Sequence, residues 1–104
     1  MQTVSECFAA LDAGADGLKL FPSMLIGPDG LAAILAVLPA GTKTFAVGGV
    51  GPVNFSDWIF SGVTGFGIGS ALYKPGDSTA EVKQKADACV SAYKRATADA
   101  GNGT

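Results

Sequence analysis

At 104 residues, 48% of them hydrophobic, the chain is long enough for one small domain and too apolar to stay unfolded. A formal net charge of −2 with no Lys/Arg cluster excludes the electrostatic footprint of a nucleic-acid or anionic-membrane binder, which leaves small molecules as partners. With no histidine, neither a Ser/His/Asp hydrolase nor a Cys/His zinc site can be assembled, so chemistry falls to lysine, carboxylates, tyrosine or backbone, and no metal or cofactor is expected.

Thr3 and Glu6 have capping-box spacing, and Val4, Cys7, Phe8 and Leu11 recur at helical intervals up to Gly14, which predicts a first helix. Gly17 to Phe21 reads as a strand cut by Pro22, with Leu18 and Leu20 on one face and Lys19 on the other. A turn over Gly27, Pro28, Asp29 and Gly30 leads to a second helix, whose apolar stripe is Leu31, Ile34, Leu35 and Leu38. Thr44 to Val47 is the next strand, ended by Gly48 and Gly49. Pro52 then opens a helix with Phe55, Trp58 and Ile59 inward and Gly62 at its close. Phe66 to Ile68 is the third strand, ended by Gly69 and Ser70. Ser78 and Glu81 cap a last helix showing Val82, Ala86, Cys89, Val90 and Tyr93 on one side.

The expected organisation is one α/β unit over residues 1–98 and a polar, glycine-rich, flexible tail over 99–104. No apolar run approaches the ~20 residues of a membrane span, and the N-terminus lacks a signal-peptide pattern, so a cytoplasmic location is expected. Cys7 and Cys89 have neither CxxC spacing nor a histidine partner and read as helix filler.

Strands alternating with helices at this spacing imply a parallel sheet with right-handed crossovers. An internal repeat agrees: Gly14-Ala15-Asp16-Gly17-Leu18-Lys19-Leu20 is similar to Gly62-Val63-Thr64-Gly65-Phe66-Gly67-Ile68. So few strands cannot close a barrel, which takes about 250 residues in its usual (βα)8 form. Either the chain is part of a longer barrel or another chain supplies the rest.

Lys19, alone between two leucines, would sit on a buried face if the sheet curls into a barrel. Desolvation disfavours the ammonium and frees a nucleophilic amine able to form an iminium ion with a ketone, whereas at a strand end the same side chain would snorkel to water. Val47-Gly48-Gly49-Val50 and Ile68-Gly69-Ser70 stand where a strand gives way to a helix. Bare backbone amides can approach a phosphate there, although turn glycines also serve conformation alone. Ser23, just past the lysine strand, is placed either to hydrogen-bond a substrate hydroxyl or to cap the turn locally. Asp16 reads as structural, and Trp58 and Tyr93 as core or subunit contacts.

Taken together, Gly17-Leu18-Lys19-Leu20-Phe21-Pro22-Ser23, Ala46-Val47-Gly48-Gly49-Val50 and Gly67-Ile68-Gly69-Ser70-Ala71-Leu72-Tyr73 resemble three motifs of the 2-keto-3-deoxy-6-phosphogluconate and -galactonate aldolases, in that family's order. The resemblance covers nearly the whole chain and implies class I lyases of carbohydrate metabolism on a (βα)8 barrel, of which this is a C-terminal part. It implies that Lys19 forms the Schiff base and that Phe21 walls the pocket. Gly48, Gly49, Gly69 and Ser70 would hold the phosphate of a 2-keto-3-deoxy sugar acid, which leaves as pyruvate and glyceraldehyde 3-phosphate.

Ser23-Met24 after Phe-Pro, and Val47 rather than threonine before Gly-Gly, favour the galactonate branch, with Val47 beside the carbon where the two substrates differ. Gluconate-type (or hydroxyglutarate-type) activity and a non-catalytic phosphate-binding half-barrel are the alternatives. The family's proton-shuttling glutamate and pyruvate-carboxylate groups lie on earlier strands with no counterpart here. The loss of such an acid-base group, typically worth ~10²- to 10⁴-fold, predicts little activity for the chain alone. Trimeric association, or completion by the missing N-terminal half, is likewise implied by the resemblance.

Overall fold

A computed structural model describes residues 1–102. In chain order the elements are α1 Val4–Asp12, β1 Leu18–Leu20, α2 Ser23–Val37, β2 Thr44–Val47, α3 Phe55–Ser61, β3 Gly65–Gly67 and α4 Thr79–Asn102. The strands form one parallel sheet in the order β1-β2-β3, with Lys19 beside Phe45 and Phe45 beside Gly65.

The two faces of the sheet differ. Leu18, Leu20 and Ala46 are fully buried in a core completed by Leu31, Ile34 and Trp58 from α2 and α3. Phe66 joins a second cluster, stacking on Phe55 at 4.3 Å between ring centres, with Tyr93 edge-on to both. On the opposite face stand Lys19, which is exposed, Phe45, which is 37% exposed, and Val47, Gly65 and Gly67, each partly exposed. In a closed (βα)8 barrel this uncovered face is the interior. The α/β class, parallel strands and incomplete barrel are therefore as expected.

Local chemistry explains the boundaries. At α1 the Glu6 amide donates to Thr3 Oγ1 at 3.2 Å, while Glu6 Oε1 accepts from the amides of Gln2 and Thr3. Ser78 and Glu81 repeat this box ahead of α4. α3 stops at Gly62, whose φ of 106° needs glycine and whose amide reaches back to Ile59 and Trp58.

Three details depart from the sequence expectation. The turn expected over residues 27–30 shrinks to Gly27 (φ 73°): residues 23–26 ahead of it are already helical, and Pro28 opens the second piece of α2. The third strand lies one residue earlier than predicted. On α4 the fully packed side is Ala92 and Ala96, while Val90 is 54% exposed, because α4 overhangs the edge strand β3 and no further strand backs it. α4 runs on through residues 99–102, and Gly103 and Thr104 lie outside the described residues. No described helix is long and apolar enough to cross a membrane.

Candidate active site

Lys19 projects from the middle of β1 onto the uncovered face, as the alternation of Leu18, Lys19 and Leu20 dictates. Its Nζ lies 5.5 Å from the centre of the Phe21 ring, a cation–π contact. That ring rests on the Gly-Gly turn: a Cβ on Gly48 would meet two Phe21 ring carbons at 3.1 Å. Lysine, Phe21 and Gly48 thus make one run of contacts across the carboxyl ends of β1 and β2. The burial foreseen for Lys19 is absent in this chain, because desolvation requires strands on the far side of a barrel and the sheet has three.

Glycines keep the face open. Gly17 and Gly65, equivalent in the internal repeat, flank Phe45, whose ring would lie 3.0 and 3.2 Å from a Cβ at either position. A side chain at either glycine would displace that ring. One step further along the strands, Val47 leans over Gly67 in the same way, at 2.8 Å from a Cβ there.

Of the two roles read for Ser23, substrate contact or local cap, its hydrogen bonds match the local one. Its hydroxyl is fully buried, donates to the Leu20 carbonyl at 2.7 Å and accepts from the Val47 amide at 2.9 Å. Both bonds tie the end of the lysine strand to the strand that ends in Gly-Gly, so Ser23 positions the site from beneath it.

Gly48 and Gly49 both have positive φ, 93° and 76°. The Val47–Gly67 register puts their turn alongside the one at Gly69 and Ser70. The segments just after the two turns approach each other, since a Cβ on buried Gly51 would come within 3.2 Å of the Ala71 Cβ, and the space where Gly69 would carry a side chain is empty. The four phosphate-site candidates therefore lie at one end of the sheet, the end to which Lys19 and Phe21 lead.

The structure adds Asn54 to the site: it donates through Nδ2 to the Gly49 carbonyl and accepts through Oδ1 from the Gly51 amide, both at 3.0 Å. The spacing Gly49-x-Gly51-x-x-Asn54 was the available signal, because an asparagine side chain readily bonds backbone groups a few residues away.

Neither Glu6 nor Glu81, each in the first turn of a helix, substitutes for a general acid-base group. Glu6 is drawn into the α1 cap, where the Gln2 amide first, then the Thr3 hydroxyl and amide, hold its carboxyl below the ordinary carboxylate range. Glu81 is taken up in the same way by Ser78. Among the described residues no three His, Cys, Asp or Glu side chains converge as a metal site.

Fold and site together define a segment of a (βα)8 barrel that carries a lysine and two glycine turns at the carboxyl ends of its strands. No family profile matches the chain. Pairwise comparison does: a probable 2-dehydro-3-deoxy-6-phosphogalactonate aldolase from Rhizobium meliloti (strain 1021) is 52% identical over 91 residues, 88% of this chain and 43% of the relative. The 2-dehydro-3-deoxy-6-phosphogalactonate aldolase of Escherichia coli (strain K12) is 49% identical over 94 residues, 90% of this chain and 46% of the relative.

A solved structure described as native KDPGal superposes with a TM-score of 0.90 at 47% identity, over 93% of this chain and 47% of that one. A designed cube-shaped protein cage, made by fusing symmetric oligomeric domains, superposes at 0.95 with 45% identity, over 98% and 38%. A thiamine phosphate pyrophosphorylase from Pyrococcus furiosus (TM-score 0.72, 24% identity) shares the fold alone. The chain is a homologue of the C-terminal portion of 2-dehydro-3-deoxy-6-phosphogalactonate aldolases, and it spans less than half the length of the curated relatives it matches.

Proposed function

We propose that this chain carries the nucleophile and the phosphate clamp of a class I aldolase that cleaves 2-dehydro-3-deoxy-6-phosphogalactonate. The observation that carries the reading is the contact run from Lys19 through Phe21 to Gly48, on the sheet face that becomes a barrel interior. Near 50% identity to aldolases of that name supports it.

In this reading the Lys19 amine adds to the substrate's C2 ketone and expels water, giving an iminium ion. The C4 hydroxyl gives up its proton, the C3–C4 bond breaks toward the iminium nitrogen, and glyceraldehyde 3-phosphate departs. The remaining enamine takes a proton at C3, and water releases pyruvate and restores the lysine. Gly48, Gly49, Gly69 and Ser70 hold the phosphate through backbone amides and the serine hydroxyl. Val47 lies beside C4 and Phe21 forms the pocket wall. Closing the barrel excludes water from this face, which favours an uncharged, nucleophilic amine.

The acid-base residue comes from the part of the barrel this chain does not contain, so the chain alone is a poor catalyst. In its complete form the protein is a cytoplasmic trimer. A second reading, a non-catalytic phosphate-binding half-barrel, draws on the exposure of Lys19 in this chain.

The test is pyruvate release from 2-dehydro-3-deoxy-6-phosphogalactonate, followed with lactate dehydrogenase and NADH. The chain is assayed alone and mixed with a polypeptide covering the remaining part of the E. coli relative. Complementation that requires Lys19, lost in Lys19→Met, is expected. Equal rates with Lys19→Met would contradict the lysine's role, and phosphate binding without any pyruvate release from the mixture would favour the second reading.

A further inference from the structure

Asn54 occupies the N-cap position of α3, yet its side chain makes no bond to that helix. An asparagine there ordinarily accepts from the helix's own first amides. Here both of its polar atoms turn back to the preceding loop, Nδ2 to the Gly49 carbonyl and Oδ1 to the Gly51 amide, each at 3.0 Å. The partners leave no freedom in the amide's orientation: a carbonyl demands the NH₂ and an N–H demands the oxygen.

The loop so held is the one that needs holding. Gly48 and Gly49 both adopt positive φ, which glycine reaches readily and also leaves readily. Fixing the Gly49 carbonyl fixes the plane of the Gly49–Val50 peptide. Because that bond is planar and trans, the Val50 amide is directed the opposite way from Asn54. On the other flank, Gly51 leaves no room for a side chain beside Ala71, since an added Cβ would stand 3.2 Å from the Ala71 Cβ next to the second glycine turn, and the Gly51 bond holds the chain at that narrow point.

We infer that Asn54 is a positioning residue that fixes the Gly49–Val50 peptide at the close of the Gly-Gly turn, and with it the Val50 amide, before any ligand arrives, in the arrangement that receives a phosphate. The inference rests on the phosphate-clamp reading above and adds to it the side chain that shapes the clamp. It separates the two half-sites: Asn54 governs the anion and leaves the Lys19 amine untouched.

Inorganic phosphate is the probe, titrated into the full chain and followed by ³¹P line broadening. Pyruvate–borohydride labelling of Lys19 is measured in parallel, with circular dichroism as the fold control. In Asn54→Ala the apparent Kd for phosphate rises by about tenfold, the effect of losing roughly one well-placed hydrogen bond or slightly more. Asn54→Asp keeps the acceptor for Gly51 and is a good helix cap, so it folds. It weakens phosphate further, because it loses the donor to Gly49 and adds a negative charge beside the anion. Lys19 labelling is unchanged in both.

Wild-type phosphate affinity in Asn54→Ala would overturn the inference. So would an equal fall of phosphate binding, Lys19 labelling and helical signal in both variants, which marks a merely structural residue. A wild-type chain that binds no phosphate overturns it as well. A chain that binds phosphate but takes no pyruvate label refutes the lyase reading alone, and the Asn54 comparison then still decides this one.

Discussion

Ser23 shows how one hydroxyl can shape a site without entering it. Fully buried, it satisfies the Leu20 carbonyl and the Val47 amide at once, linking the strand of the lysine to the strand of the Gly-Gly turn. Ser23→Ala should cost about 1–3 kcal/mol, the penalty of leaving buried partners unmet, as read from the urea midpoint at constant m-value. Glu6 makes a pH-dependent contribution. Its carboxyl is held below the usual range by the Gln2 amide first and by Thr3 second, so the folded form binds that proton less tightly than the unfolded chain does. The stabilisation is present at neutral pH and disappears as pH falls through the folded value. Thermal melts over the acid range should show Glu6→Gln converging on the wild-type chain at the low end and falling below it at the neutral end.

At the scale of the elements, the boundaries fall where caps and glycines put them. The two capping boxes and the Gly62 stop could be read directly from the residues, because such signals are local and depend on few neighbours. Gly62 is held to glycine twice over, by a φ of 106° and by Leu35 Cδ1, which would stand 3.0 Å from an added Cβ. Gly62→Ala is therefore expected to destabilise the chain by about 1–2 kcal/mol or more, measured by thermal or urea unfolding. What the residues did not disclose depends on tertiary surroundings. The helical turn at 23–26 is pinned by the Met24 amide on the Gly48 carbonyl, a partner far away in sequence. The outward turn of Val90 follows from the absence of a strand beyond β3, which α4's own periodicity cannot register. Asn54 escaped notice because its spacing alone fits either a helix cap or a loop clamp.

For the molecule as a whole, one sheet carries a helix-covered face and a bare one, and the proposed nucleophile stands on the bare one. The motifs around Lys19, Gly48 and Gly69 were visible in the sequence; the state of the lysine was not, because its burial depends on strands outside these residues. The glycines at 17, 65 and 67 leave room on the bare face for the side chains of Phe45 and Val47. The claim on which this account depends is that the Lys19 amine attacks a 2-keto acid. Incubating the chain with pyruvate and borohydride, then mapping the adduct by peptide mass spectrometry, tests it most directly. A lactyl-sized mass increase is expected on the peptide bearing Lys19 and none in Lys19→Met, with the yield raised when the remainder of the barrel is supplied. An adduct spread over the other lysines, or no adduct even in the completed barrel, would contradict it.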